Sequence, residues 1–257
     1  EKIDYIISNH AEPDHSGAIV SAIEAIHPEK VFVSPLGEKA LRAYYGADLD
    51  LTVVKTGDSV KLGKGTFSFI ETKMLHWPDS MVTYLDTAKL LFSQDAFGMH
   101  LAGSKLWADE YPEFVLDYEG RKYFANILNV QSAKVLDLLN ALPGLNLDIA
   151  IIAPDHGPLW RKDLGWIINL YRECAEQKPP RALVAYATMW HSTEKLANAI
   201  ADGIRSTGVT VEVADLAVND RSAIMTEVAR SGAVAFGAPT MNNQMFPAMA
   251  DVLTYIK

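Results

Sequence analysis

Past Pro179-Pro180 the sequence alternates strictly between strand and helix patterns, and this alternation leaves few folds open. A strand is expected over Ala182 to Ala187, a helix over Thr193 to Ser206, a strand over Val209 to Ala214 and a helix over Asp220 to Arg230. A strand over Ala233 to Ala238 and a helix from near Pro247 follow. A β-α-β-α-β-α order requires parallel strands joined by crossover helices, which gives a doubly wound α/β sheet. Such sheets usually have about five or more strands, so further strands are expected beyond Lys257.

The first two-thirds of the chain read differently. Short β-branched runs recur at Ile3 to Ser8, Lys30 to Ser34, Leu51 to Val54, Thr66 to Thr72, Lys89 to Ser93 and Leu147 to Ala153. Helical spacing marks Ser16 to Ile26, with Ser16 as N-cap, together with Gln131 to Leu142 and Leu164 to Cys174. This mixture predicts a sheet-rich α/β domain with helices on its outer faces. The double proline in Glu176-Gln-Lys-Pro-Pro-Arg181 cannot continue a helix, so the expected division is residues 1–177 and 178–257. Because the chain opens on Glu1 inside a strand pattern, residues before it are expected as well.

With 49% hydrophobic residues and only short apolar runs, the chain is expected to be a soluble protein with a full core and no membrane span. A formal charge of −9 without any basic stripe argues against nucleic acid. Cys174 is the single cysteine, so no internal disulfide can form, and a reducing cytoplasmic setting is expected.

The strongest chemical signal is Asn9-His-Ala-Glu-Pro-Asp-His-Ser-Gly17, directly after the first strand pattern. His10, Glu12, Asp14 and His15 supply two imidazoles and two carboxylates from one short loop, which can serve two metals by sending side chains in different directions. His76, Asp95 and His156 each stand where a later strand pattern gives way to a loop. Any one of these three, taken alone, is more often a hydrogen-bonded turn residue. Seven positions sharing one placement point instead to a metal pair. Of the other histidines, His27 closes a helix and is expected to be exposed, His100 lies in the loop beyond Asp95, and His191 belongs to the second part.

The His-x-Glu-x-Asp-His loop, followed by His76, Asp95 and His156, resembles the metallo-β-lactamase superfamily. Glu12, where hydrolytic members carry histidine, and the phrases Leu75-His-Trp-Pro-Asp-Ser-Met81 and Phe92-Ser-Gln-Asp-Ala-Phe-Gly98 are similar to the flavodiiron proteins. The resemblance implies a metallo-β-lactamase-like αββα sandwich, shortened at its N-terminus, and then a flavodoxin-like doubly wound sheet, shortened at its C-terminus. It implies that His10, Glu12 and His76 bind one iron, that Asp14, His15 and His156 bind the other, and that Asp95 bridges them. A thiolate-free set of imidazoles and carboxylates independently suits iron or manganese with open positions better than structural zinc.

In the second part, Ala187-Thr-Met-Trp-His-Ser-Thr193 places hydroxyls and backbone N–H groups at a helix start, a cradle for a phosphate monoester. The same run can equally be ordinary capping. Pro239-Thr-Met-Asn-Asn-Gln244 forms a polar turn at the end of the third strand pattern, beside the first loop in the crevice. Together they resemble the first two FMN loops of flavodoxin-like domains. That implies phosphate held by Thr188, Met189, Trp190, His191, Ser192 and Thr193, with Pro239, Thr240, Met241 and Asn242 near the flavin ring. Ala187 departs from the aspartate expected there, and a third loop is expected beyond a fourth strand.

The resemblance implies an oxidoreductase that takes dioxygen to water or nitric oxide to nitrous oxide at a non-haem di-iron site. Electrons would come through FMN from an external donor, a rubredoxin-like protein or a flavin- or NADH-linked reductase. It also implies a head-to-tail homodimer or homotetramer. The competing readings are a zinc-dependent hydrolase of the same fold, opposed by Glu12 and the flavin loops, and an electron-transfer module with a structural metal, opposed by the open, thiolate-free donor set.

Overall fold

The structure, a computed structural model, describes residues 2–46, 48–176 and 179–256. In chain order the elements are β1 (Tyr5–Ser8), α1 (Pro13–Ser16), α2 (Ile19–Ile26), β2 (Lys30–Val33), α3 (Pro35–Tyr45) and β3 (Thr52–Val53). Next come β4 (Ser59–Leu62), β5 (Gly65–Glu71), β6 (Met81–Leu85), β7 (Leu90–Gln94), α4 (Glu113–Tyr123), α5 (Ser132–Ala141) and β8 (Ile151–Pro154). The remainder is α6 (Leu164–Glu176), β9 (Arg181–Tyr186), α7 (Ser192–Arg205), β10 (Thr210–Asp215), α8 (Arg221–Ala229), β11 (Ala233–Gly237) and α9 (Pro247–Tyr255). Among the described residues no helix is long and apolar enough to cross a membrane.

The chain divides into two compact units. One takes the residues up to Gly120 together with Ala133–Tyr171, and the other takes Arg121–Ser132 and the residues from Arg172 onward. The junction expected at 177 and 178 lies outside the described residues.

The first unit holds two sheets. β1, β2 and β3 are parallel, while β4-β5-β6-β7-β8 is antiparallel until β8 joins β7 in parallel. Strand periodicity explains how they pack. In β2, Val31 and Val33 face Ile19 and Leu41 of the helices, whereas Phe32, between them in sequence, turns the other way onto Phe69 and Met81 of the five-stranded sheet. The Phe32 and Phe69 rings lie 5.8 Å apart. Two sheets back to back with helices outside form the αββα sandwich. Because β5 and β7 run the same way and β8 runs with β7, their C-terminal ends share one edge.

The second unit is an α/β sheet of order β10-β9-β11, all parallel, in the doubly wound manner expected. Central β9 is buried on both sides. Leu183, Ala185 and Ala187 meet Ile224, Met249 and Val252, while Val184 and Tyr186 meet Ala197 and Ala201 of α7. Arg121–Ser132 contributes a π-helical turn, Phe124–Leu128. Its buried Asn126 donates to Ser222 O at 3.2 Å and accepts from the Tyr255 hydroxyl at 2.7 Å.

One local expectation is corrected. Ser16 does not cap the following helix; it ends α1, Ala18 is the N-cap of α2, and Ser16 Oγ donates to Ala11 O at 2.7 Å. Proline at the first position of α1 starts a helical turn three residues earlier than the apolar spacing indicates.

Candidate metal centre and flavin loops

His10 follows β1, and its loop is held by its neighbours. Asn9 O accepts from Met81 N at 2.9 Å, and Asn9 Oδ1 accepts from Thr83 Oγ1 at 2.6 Å, which fixes the end of β1 to β6. Glu12 is the N-cap of α1, and the turn that follows carries Asp14 and His15. Asp95 follows Gln94, which has a left-handed backbone (φ 49°) and donates through Nε2 to Leu75 O, close to His76. His156 follows β8, and its carbonyl accepts from Met99 N at 3.2 Å. The loop between Asp95 and Met99 is further pinned by Trp160 Nε1 on Phe97 O (3.0 Å) and Tyr171 OH on Gly98 O (2.9 Å).

All seven expected donors meet, and they meet as two sets around one carboxylate. Asp95 Oδ2 lies 3.5 Å from His10 Nε2 and 3.4 Å from His76 Nε2; Glu12 Oε2 lies 3.2 and 3.1 Å from the same two nitrogens. Asp95 Oδ1 lies 3.3 Å from His15 Nε2 and 3.4 Å from His156 Nε2, and Asp14 Oδ2 lies 3.6 and 3.3 Å from those. In each of the triads His10, His76, Asp95 and Asp14, His15, His156, one donor atom per residue falls within 4.8 Å of the others. Each half therefore offers two imidazoles and a carboxylate, with Asp95 between the halves.

The electrostatics show what a cation would replace. Burial raises the Asp95 carboxyl, but hydrogen bonds from His15 and His76 prevail and hold it well below the usual carboxylate range. Burial opposes the charged form of His15, yet hydrogen bonds to Asp155 and Asp95 push its pKa up to about 10. His15 Nε2 is a buried atom that faces Asp95 Oδ1 at 3.3 Å, a position from which the neutral ring can give its lone pair to a metal. The donor set and its two-fold arrangement fit a pair of divalent ions.

Two residues whose role the sequence did not reveal stand behind the donors. Asp79 Oδ2 accepts from His10 Nδ1 at 3.0 Å and from Ala11 N at 2.7 Å, and Asp155 Oδ2 lies 2.9 Å from His15 Nδ1. Asp79 sits in the quoted phrase around His76 and Asp155 directly precedes His156, but nothing in their spacing says that they face the second nitrogen of another histidine. His100 packs edge-on to His156 with ring centroids 5.2 Å apart; burial, and then the charge of His156, lower its pKa. His27 is exposed and ends α2 in the left-handed conformation.

In the second unit, β9 leads into Thr188, Met189, Trp190 and His191, and α7 starts at Ser192 and Thr193. His191, at the N-cap, is left-handed and gives no side-chain cap, so its side chain leaves the first-turn N–H groups of α7 uncapped. Thr188 Oγ1 is a buried atom with no hydrogen bond among the described residues. The loop after β11 lies alongside: Ala187 N donates to Gly237 O at 2.9 Å, and a Cβ added at Gly237 would stand 3.3 Å from Thr193 Cγ2. Beyond Pro239 and Thr240 the chain closes a tight turn, Met241 and Gln244 bonding in both directions around left-handed Asn242 and Asn243. An uncapped helix start, an orphaned hydroxyl and an adjacent polar turn fit a phosphate with a planar ring beside it.

Residues 1–157 match the family model described as ODP family beta lactamase, and residues 184–256 match the flavodoxin family. Over its whole length the chain is 41% identical to the rubredoxin-oxygen oxidoreductase of Megalodesulfovibrio gigas, covering 65% of it. Over 98% of its length it is 42% identical to the nitric oxide reductase of Moorella thermoacetica, covering 64% of that protein. Among solved structures, rubredoxin oxygen:oxidoreductase from Desulfovibrio gigas superposes with a TM-score of 0.94 at 41% identity, covering 99% of this chain and 64% of that one. The flavodiiron protein from Giardia intestinalis gives a TM-score of 0.90 at 33% identity, covering 98% of this chain and 62% of that one. The chain thus spans a little under two thirds of the length of these relatives. It belongs to the ODP beta-lactamase family and, with a flavodoxin segment following that fold, to the flavodiiron proteins.

Proposed function

We propose that this chain is part of an oxidoreductase that reduces dioxygen to water or nitric oxide to nitrous oxide, with residues 1–177 carrying two irons and residues 178–257 carrying FMN. The observation that carries the reading is the division of the other six donors into two sets of three by the two oxygens of Asp95. His10, Glu12 and His76 would hold one ion and Asp14, His15 and His156 the other, with Asp95 shared between them. When bound, two ferrous ions and a reduced flavin supply four electrons, as many as dioxygen needs to reach water. The relatives named for oxygen and for nitric oxide reduction favour this chemistry over hydrolysis.

The remaining work falls to the chain itself. Asp95, buried at 2% side-chain exposure, fixes the separation of the two sets. Asp14 and Glu12, with side chains 52% and 31% exposed, leave the centre open to a small molecule. Thr188 to Thr193 hold the flavin phosphate, and Pro239, Thr240, Met241 and Asn242 border its ring. The name of the Megalodesulfovibrio relative supports a rubredoxin-like donor; a flavin- or NADH-linked reductase is the other class. A head-to-tail homodimer or homotetramer in the cytoplasm completes the reading.

Metal analysis and a visible spectrum of the full-length protein test it. Two irons and a yellow flavin are expected, whereas colourless protein with zinc would favour the hydrolase. Asp95→Ala is expected to lose both ions and to lower oxidant consumption by at least about 100-fold. Retained turnover in that variant, with oxygen and nitric oxide each measured anaerobically or aerobically as required, would defeat the mechanism.

A further inference from the structure

The two halves of the centre offer the same donors, so charge alone gives no reason for one to bind before the other. Their supports differ. On one side His10 has no exposed side-chain surface, and its Nδ1 is held by Asp79, whose side chain is 3% exposed. The Asp79 carboxylate also accepts from Ala11 N, and its backbone carbonyl accepts from Ser34 Oγ at 2.6 Å. Asp79 is thus fixed at three points before any ion arrives. On the other side the histidine support is Asp155, whose side chain is 39% exposed, and the carboxylate donor is Asp14, 52% exposed.

A ligand already locked in its binding rotamer loses less freedom on coordination, and a carboxylate behind an imidazole raises its basicity most where water does not screen the pair. We infer that Asp79 and Asp155 are positioning residues of unequal strength, and that the half containing His10, Glu12 and His76 therefore takes its metal first and more tightly than the half containing Asp14, His15 and His156. The inference rests on the two-metal reading above and adds an order to it.

The test is a titration of Co(II) into the full-length, metal-stripped protein, followed by its visible d–d bands, for the parent, Asp79→Asn and Asp155→Asn. Asparagine keeps an acceptor for the histidine and removes only the charge. The parent is expected to bind two ions in two resolved steps. Asp79→Asn should weaken the tighter step about 10-fold, and Asp155→Asn should leave that step unchanged while weakening the second by a similar factor. Melting of the metal-free variants separates a loss of fold from a loss of affinity, and Asp155→Asn, at the surface, carries the test even if Asp79→Asn unfolds. Two indistinguishable steps in the parent, or a tighter step that responds to Asp155→Asn, would overturn the order while leaving the metal pair intact. A parent that binds no Co(II) would remove both the order and the site.

Discussion

Gly157, one residue past His156, has φ +84°. A Cβ there would lie 2.6 Å from Met99 O and 2.8 Å from Met99 Cγ, so the position requires glycine for its backbone angle and for its space. Gly157→Ala is expected to cost more than about 1 kcal/mol and to turn His156 away from its half of the centre; denaturant unfolding and metal content measure the two effects, and an unchanged midpoint would contradict them. At this scale the sequence was legible wherever chemistry was local. His10, Glu12, Asp14 and His15 crowd one loop, and His76, Asp95 and His156 each follow a strand. Asp79 and Asp155 were not legible in their role, because a carboxylate that supports an imidazole is defined by which ring nitrogen it faces, across 69 and 140 residues of chain. Trp190, in the run expected to hold the phosphate, is 85% exposed, so it covers little of the protein itself.

Element by element, legibility followed periodicity. The strands of the second unit were found within a residue, helped by the clear amphipathic spacing of α7 between the first two. α3 was missed: Ser34-Pro35-Leu-Gly37 reads as a turn, yet Ser34 is an N-cap accepting from Gly37 N at 3.0 Å and Pro35 occupies the first turn. β6 was missed for the opposite reason. Met81 to Tyr84 are all buried, so the alternation that marks a half-exposed strand is absent. Ser34 also ties α3 to the metal centre, since its hydroxyl donates to the carbonyl of Asp79. Ser34→Ala therefore removes a cap and a buried hydrogen bond together. A loss of about 1–3 kcal/mol is expected from unfolding curves, with a weaker first step in the Co(II) titration. A variant as stable as the parent would mean that water replaces both bonds.

At the scale of the whole molecule, the change from an irregular strand-rich pattern to strict alternation near the double proline announced two architectures. It could not announce that Arg121–Ser132 packs with the second of them, because that pairing depends on the buried Asn126 side chain and not on any pattern in the sequence. The tryptophans offer a way to watch one unit. Trp77, Trp107, Trp160 and Trp166 lie in the metal-bearing unit and Trp190 in the other, so among these 257 residues Trp190→Phe leaves tryptophans in the first alone. If seven donors converge in the native state and scatter on unfolding, an ion binds only the folded form, and at about 100 times its Kd it stabilises by about 2.7 kcal/mol. For a unit of this size that corresponds to a rise of roughly 5–10 °C in the fluorescence midpoint on adding ferrous ion to metal-free protein under anaerobic conditions. Chelation should reverse the rise. A midpoint indifferent to metal would mean that the donors do not act together, since seven side chains from four loops can favour the folded chain through a cation only by holding it in common.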